Sequence, residues 1–194
     1  VPRFVSSMAG GNRLIPITEP AACDVFQTYR AQFDGTYARY ERLQTSCVLP
    51  LPNGILRLRT TDGLTHYFGE PALMGSSNDI TWAPLTRTVD PFGNTVTYEY
   101  FPVEDELGDI VEYVLDHIDY TSNPSASIEA HARVQFTYTL LDSCSPLSMA
   151  ELPVGARIEA RSGEVKWVGS HRLDAIRTRV RSGEGWRDVR TVTL

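Results

Sequence analysis

Four histidines, three cysteines and two small-residue loops are the places where this 194-residue chain could do chemistry. His66, His117, His131 and His171 lie far apart, each beside an aromatic or β-type pattern. None has a cysteine or carboxylate at a recognisable metal spacing. The expected role of all four is that of strand residues with an ordinary hydrogen bond. A Ser-His-Asp hydrolase would carry its nucleophile on a strained GxSxG elbow, and no such pentapeptide occurs. The loops "MAGGNRL" (8–14) and "MGSSND" (74–79) lack the lysine and the following helix that hold phosphate in a P-loop. Cys23, Cys47 and Cys144 form no CxxC pair. Three small buried thiols are the favoured reading and a Cys23–Cys47 disulfide the other open one. The sequence therefore nominates no catalytic residue, no cofactor-binding residue and no metal ligand.

The elements around these residues read as strands. Gly and Pro total 26, scattered so as to cut the chain into short pieces at intervals typical of all-β proteins. Turn signals stand at Asp34-Gly35, Asn53-Gly54, Asp62-Gly63, Gly93-Asn94, Ser162-Gly163 and Ser182-Gly183, each able to supply a positive φ. Between turns the period is two. Val96, Tyr98 and Tyr100 oppose Thr95, Thr97 and Glu99; Val134, Phe136 and Tyr138 oppose Arg133, Gln135 and Thr137. Leu56 and Leu58 alternate with Arg57 and Arg59, and Ile176, Thr178 and Val180 with Arg177 and Arg179. Each predicts an antiparallel strand with one face buried.

Two segments carry a helical signal. In "DELGDIVEYVLDHIDY" Leu107, Ile110, Val111, Val114, Leu115 and Ile118 fall at amphipathic-helix spacing, yet the stretch is β-branched and aromatic enough to be a strand, so residues 104–118 stay open. A short helix is expected within 20–30, where Pro20 suits a first turn. The fold class is all-β, either an antiparallel β-sandwich or an extended sheet, with at most one or two short helices.

Net charge is −6 and the isoelectric point about 5.2, which gives the whole molecule no pull toward nucleic acid or an anionic membrane. Arg172, Arg177, Arg179, Arg181, Arg187 and Arg190 gather near the end, interrupted by Glu184 and Asp188. Alternate solvent-facing strand positions explain them better than a phosphate-binding stripe does. No apolar run approaches the ~20 residues that span a bilayer, and the start lacks the pattern of a signal peptide. Val at position 1 fits a fragment or a processed product.

Taken in order, "YARYERL", "RTTDGLTHYFGEP", "ITWAPLTRTVDPFGNTVTYEY", "LDHIDYT", "ARVQFTYTLLD", "RLDAI" and "WRDVRTVTL" resemble the SpvB-type N-terminal region of insecticidal toxin-complex B subunits and related RHS (YD-repeat) proteins. The resemblance covers residues 37–194, and 1–36 match only loosely. Its central elements are a DG-x-x-x-x-FG turn, here Asp62, Gly63, Phe68 and Gly69, and a segment kept as Trp82, Leu85, Asp90, Gly93, Asn94, Tyr98 and Tyr100. The Trp-to-Leu spacing is one residue longer than in the family, and "GILRLRT" stands where a tryptophan-bearing strand is usual.

The resemblance implies one continuous β unit, part of a larger secreted bacterial virulence protein. It would be a non-enzymatic section of the RHS-like shell around a toxic cargo, docking to other toxin-complex segments and self-associating through sheet edges. ADP-ribosyltransferase activity in the SpvB virulence protein belongs to a separate C-terminal domain. Here "EDE" (Glu104–Glu106) imitates its acidic pair without the preceding Ser-Thr-Ser strand, so a solvated loop is expected. The competing reading is a secreted β-sandwich carbohydrate-binding or adhesion module, with Trp82, Trp167 and Trp186 as an aromatic platform.

Overall fold

The computed structural model describes residues 5–6, 12–18, 23–33, 35, 37–43, 56–69, 73–74, 80–104, 110–140, 157–161, 164–168 and 171–194. Strands follow one another as β1 (Val5–Ser6), β2 (Asn12–Ile17), β3 (Val25–Ala31), β4 (Arg39–Leu43), β5 (Leu56–Arg59), β6 (Thr65–Phe68), β7 (Leu73–Met74) and β8 (Ile80–Trp82). Then come β9 (Leu85–Val89), β10 (Thr95–Glu104), β11 (Ile110–Ser122), β12 (Ala132–Leu140), β13 (Arg157–Arg161), β14 (Glu164–Val168), β15 (His171–Ser182) and β16 (Gly185–Thr193). A 3-10 turn, Pro124–Ala126, joins β11 to β12. Hydrogen-bonded neighbours run β1-β2-β3-β4-β5-β6-β9-β10-β11-β12-β15-β16, with β7–β8 and β13–β14 as separate two-stranded ribbons. This all-antiparallel meander matches the extended-sheet expectation. The chain divides into two compact units, 1–97 with 122–128, and 98–121 with 129–194.

In the first unit the registers line up residues of neighbouring strands in rows, and adjacent rows point to opposite faces. Tyr29, Tyr40, Leu58, His66, Thr88 and Val96 form one row from β3 to β10. Around it Leu14, Tyr29, Ala31, Ala38, Tyr40 and Leu58 make the core, with Phe68 packed against them. The next row is Thr28, Glu41, Arg57, Tyr67, Arg87 and Thr97. Thr28, Glu41 and Arg57 in it are as buried as the core. The expectation that Leu56 and Leu58 face inward and Arg57 outward is therefore corrected: both faces of β5 are covered, and Arg57 tolerates burial because it is paired.

Two segments with a helical signal resolve as strands. Residues 25–31 form β3, which bonds to β2 and β4 and buries Val25, Thr28, Tyr29 and Ala31; Pro20 lies outside the described residues. Residues 110–122 form β11, paired with β12 from His117 to Tyr120. From 112 to 120 its side chains are buried or half-buried at every position. Apolar residues are therefore useful on both faces, and their 3.6-like spacing carries no helical meaning. Residues 105–109 lie outside the described ones.

In the second unit the faces agree with the sequence alternation. Val134, Phe136, Ile176 and Val180 share a face, and Arg133, Gln135, Arg177 and Arg179 share the other. Burial is not one-sided, however, because both faces of β12 are half-covered from 132 to 138. On β10 Thr95 is the buried residue while Val96, Tyr98 and Tyr100 are half-buried, so the inward face assigned to those three is corrected in the same way.

Candidate functional site

Each histidine has its own local partner. His66 sits in the core row with Nδ1 2.9 Å from Thr88 Oγ1, and burial pulls its pKa below the usual value against the opposing pull of Asp62. His117 Nδ1 lies 2.6 Å from Asp116 and its Nε2 3.8 Å from Asp119. His131 Nδ1 is 2.6 Å from the Glu129 carbonyl. His171 lies edge-on to Phe101 and Tyr138, with ring centroids 5.6 and 6.3 Å away, and 4.0 Å from Glu112. Tyr138 and Phe101 also meet edge-on, and the Tyr138 hydroxyl donates to the Leu115 carbonyl at 2.8 Å. Burial, helped by Asp116 and Glu112, raises the Tyr138 pKa; burial, with Tyr98 and Tyr138 nearby, pushes Tyr100 up to about 12. These tyrosines stay neutral near pH 7, which suits packing. Among the described residues no three His, Cys, Asp or Glu converge as metal ligands.

The motif residues meet in a knuckle of three turns in the first unit. Asp90 opens the middle turn: its carboxylate accepts from the backbone N–H of Phe92 (2.8 Å) and Asn94 (2.9 Å) and from Asn94 Nδ2 (2.8 Å). The Asn94 side-chain bond, ahead of those backbone bonds, holds the Asp90 carboxyl below its usual pKa. Gly93 takes φ +84, and Asn123 Nδ2, from the turn after β11, donates to the Phe92 carbonyl at 3.1 Å and to Asn94 Oδ1 at 3.3 Å. Ser125 Oγ donates to Asn123 Oδ1 at 2.5 Å. On the other side Gly63, φ +88, lies against Pro91, where a Cβ would stand 2.7 Å from the ring. Asp62 accepts from the Thr60 hydroxyl and the Leu64 N–H, and its carboxyl is lowered chiefly by Thr60. Asp62, Asp90 and Asn94 thus spend their polar atoms on turns. The turn at 32–38 departs from expectation: Tyr37, at φ +55, takes the positive φ assigned to Gly35. Gly183 is positive as expected; the Asn53-Gly54 and Ser162-Gly163 signals lie outside the described residues.

The buried charges escaped the sequence reading. Glu41, with 3 % of its side chain exposed, faces Arg57 Nε at 2.6 Å, Arg39 Nε at 2.9 Å and Arg59 Nε at 3.5 Å. Arg57 also binds Asp24 at 2.8 Å. Burial pulls the Arg57 pKa down, but the hydrogen bonds to Glu41 and Asp24 outweigh it and leave it raised. The legible signal is opposite charge at matching alternate positions of "YARYERL" and "GILRLRT". Cys23, next to Asp24, is exposed and disulfide-bonded, which corrects the buried-thiol reading for that residue. Cys47 and Cys144 lie outside the described residues.

Three of the six arginines near the end, Arg172, Arg179 and Arg181, are committed, as is Arg133 on β12. Asp119 takes Arg133 through two bonds of 2.6 and 2.8 Å. Arg179 binds Asp188 at 2.8 Å and Gln135 at 2.6 Å. Arg181 pairs with Glu129, and Arg172 with Asp174. Arg133 lies 4.4 Å above the Trp186 ring and covers one of its faces. The side chains of Trp82 and Trp167, residues 8–11 and 75–79 of the two loops, and Glu106 lie outside the described residues; Glu104 is exposed at the end of β10. Chemically, the described clusters bond inward to turns, strands and rings.

No protein-family model and no curated protein matches the chain. Solved structures do. A crystal structure of TcdB2-TccC3-Cdc42 superposes with a TM-score of 0.70 at 13% identity, over 95% of this chain and 11% of that one. The N-terminal domain of effector protein SpvB from Salmonella typhimurium strain LT2 gives 0.69 at 12% identity, over 99% of this chain and 81% of that domain. The Tc holotoxin pore of Photorhabdus luminescens gives 0.69 at 12%, over 94% and 11%. The chain thus has an SpvB/Tc-toxin-like fold, and it spans about a tenth of the length of the large Tc chains.

Proposed function

We propose that this chain is a non-enzymatic structural section of a secreted bacterial toxin-complex or RHS-type protein, contributing to a shell around a toxic cargo and docking to neighbouring segments. The observation that carries the reading is the near-complete superposition on both a Tc-toxin component and the SpvB N-terminal domain. The site geometry supports it, since the motif residues hold turns together. Rigid satisfied turns favour a scaffold over a site that must bind and release substrate. Co-expression with the neighbouring segments of its toxin complex, followed by size-exclusion chromatography and cross-linking, tests it. Stable co-elution is expected, and separate elution at micromolar concentration refutes docking.

A further inference from the structure

We propose that β16 is a strand-addition edge whose partner is an extended segment of another polypeptide, with acidic residues followed by an apolar one on its matching face. This rests on the scaffold reading and names the docking chemistry. β16 bonds to β15 on one side and ends the strand order, so among the described residues no strand pairs with the backbone groups of its other side. All of its residues but Trp186 are exposed, including Val189 at 61% and Val192 at 40%.

The side chains at that edge are sorted by a bulge. Thr178 pairs with Arg190 and Arg179 with Asp188, leaving Val189 as the extra residue. Val180 pairs with Arg187, Thr178 with Arg190 and Ile176 with Val192. Because Ile176, Thr178 and Val180 share a face of β15, Arg187, Arg190 and Val192 share the corresponding face of β16. Without the bulge, Arg187 and Arg190, three apart, would point to opposite faces. Among the described residues neither arginine has an ion pair, whereas Asp188 is taken by Arg179. The exposed row is therefore two free cations followed by an apolar residue. A second copy would bring the same two cations to the edge, with its Asp188 already engaged, so an acidic-apolar strand from another chain fits better.

The experiment uses the whole 194-residue chain and two fluorescein-labelled nonapeptides with Thr at every second position, the other face carrying two Glu and then Val (the Glu/Val peptide) or two Lys and then Val (the Lys/Val peptide). The Leu194 N–H donates to the Asp174 carbonyl, so by strand alternation the N–H of Thr191 points away from β15. Thr191→Pro then removes an outward donor and spares the inner ladder. Anisotropy should show the Glu/Val peptide binding and the Lys/Val peptide not. The double variant Arg187→Glu/Arg190→Glu should bind the Glu/Val peptide about tenfold more weakly and reverse the preference. Thr191→Pro, with an unchanged circular dichroism spectrum, should bind neither peptide. Absence of Glu/Val binding overturns the proposal, and so does binding that Thr191→Pro leaves intact, since that is charge attraction without strand pairing. If Thr191→Pro alters the spectrum, hydrogen exchange on the parent chain decides: the peptide must protect the Thr191 and Thr193 amides. A chain that co-elutes with its toxin-complex neighbours but ignores the Glu/Val peptide refutes this edge and leaves the scaffold standing.

Discussion

Replacing Gly93 by alanine tests whether the three-turn knuckle is a structural unit. Two costs add. Alanine at φ +84 gives up roughly 1–2 kcal/mol relative to glycine, because Cβ crowds the neighbouring carbonyl. The new Cβ would also stand 2.7 Å from Ser125 Oγ and 3.2 Å from Asn123 Oδ1, so the hydroxyl must swing away. That breaks the Ser125–Asn123 bond and loosens the hold of Asn123 on Phe92 and Asn94. These bonds are exposed and water replaces them in part, so the second cost is about 1 kcal/mol. The sum is about 2–3 kcal/mol, or a melting temperature lower by about 4–12 °C for a chain of this size.

Gly183 supplies the comparison. It too has a positive φ, +61, but a Cβ there meets nothing within 4 Å. Gly183→Ala should therefore cost the backbone part alone. Urea unfolding followed by circular dichroism gives both values, and hydrogen exchange of the β9–β10 amides places the Gly93 loss in the first unit. In a Ser125→Ala background the Gly93→Ala penalty should shrink by about 1 kcal/mol, since the hydroxyl in its way is gone. Equal penalties at Gly93 and Gly183, with no coupling to Ser125, would refute the knuckle as a packed unit.

Arg57→Met leaves Glu41 buried with one partner fewer and should cost roughly 3 kcal/mol in urea unfolding, most of it recovered by adding Glu41→Leu. No recovery in the double variant would mean the pair acts through more than its charges. His66 is held neutral, with a folded pKa below its unfolded value of about 6.5. Its contribution is present above that value and is lost as pH falls through it, when the unfolded chain takes up the proton first. Thermal melts from pH 8 to 5 should fall more steeply for the parent than for His66→Gln, and equal slopes contradict the assignment. Reducing the disulfide at Cys23 should destabilise the chain by about 2–4 kcal/mol, and an unchanged melt in dithiothreitol argues against it.

What could be read from the sequence followed from local physics. The turns at Asp62-Gly63 and Gly93-Asn94 and the alternation in "RVQFTY" depend on residues within a few positions of each other, and they stand where expected. The segments misread or left open depend on partners far along the chain. Residues 25–31 are a strand because β2 and β4 flank them, and Arg57 is buried because Glu41 and Asp24, 16 and 33 residues away, neutralise it. Alternation reveals which residues share a face but not what covers that face. A strand covered on both sides therefore mimics helical spacing in "DELGDIVEYVLDHIDY" and a solvent-facing arginine in "GILRLRT".

The same distinction holds at the turn motif. "DPFGNTVTYEY" carries a turn signal at Gly93-Asn94, and the turn forms there with Asp90 and Asn94 bonded to each other. What the sequence could not supply is the second layer: Asn123 and Ser125, some thirty residues on, lock that turn, while Pro91 receives Gly63 from thirty residues before. Glycine at 63 and 93 is then required twice, once for its positive φ and once because neighbouring turns leave no room for a Cβ. The second requirement is tertiary. A motif whose glycines and polar side chains answer to each other in this way specifies how turns stack, which is a requirement of the fold and independent of any substrate.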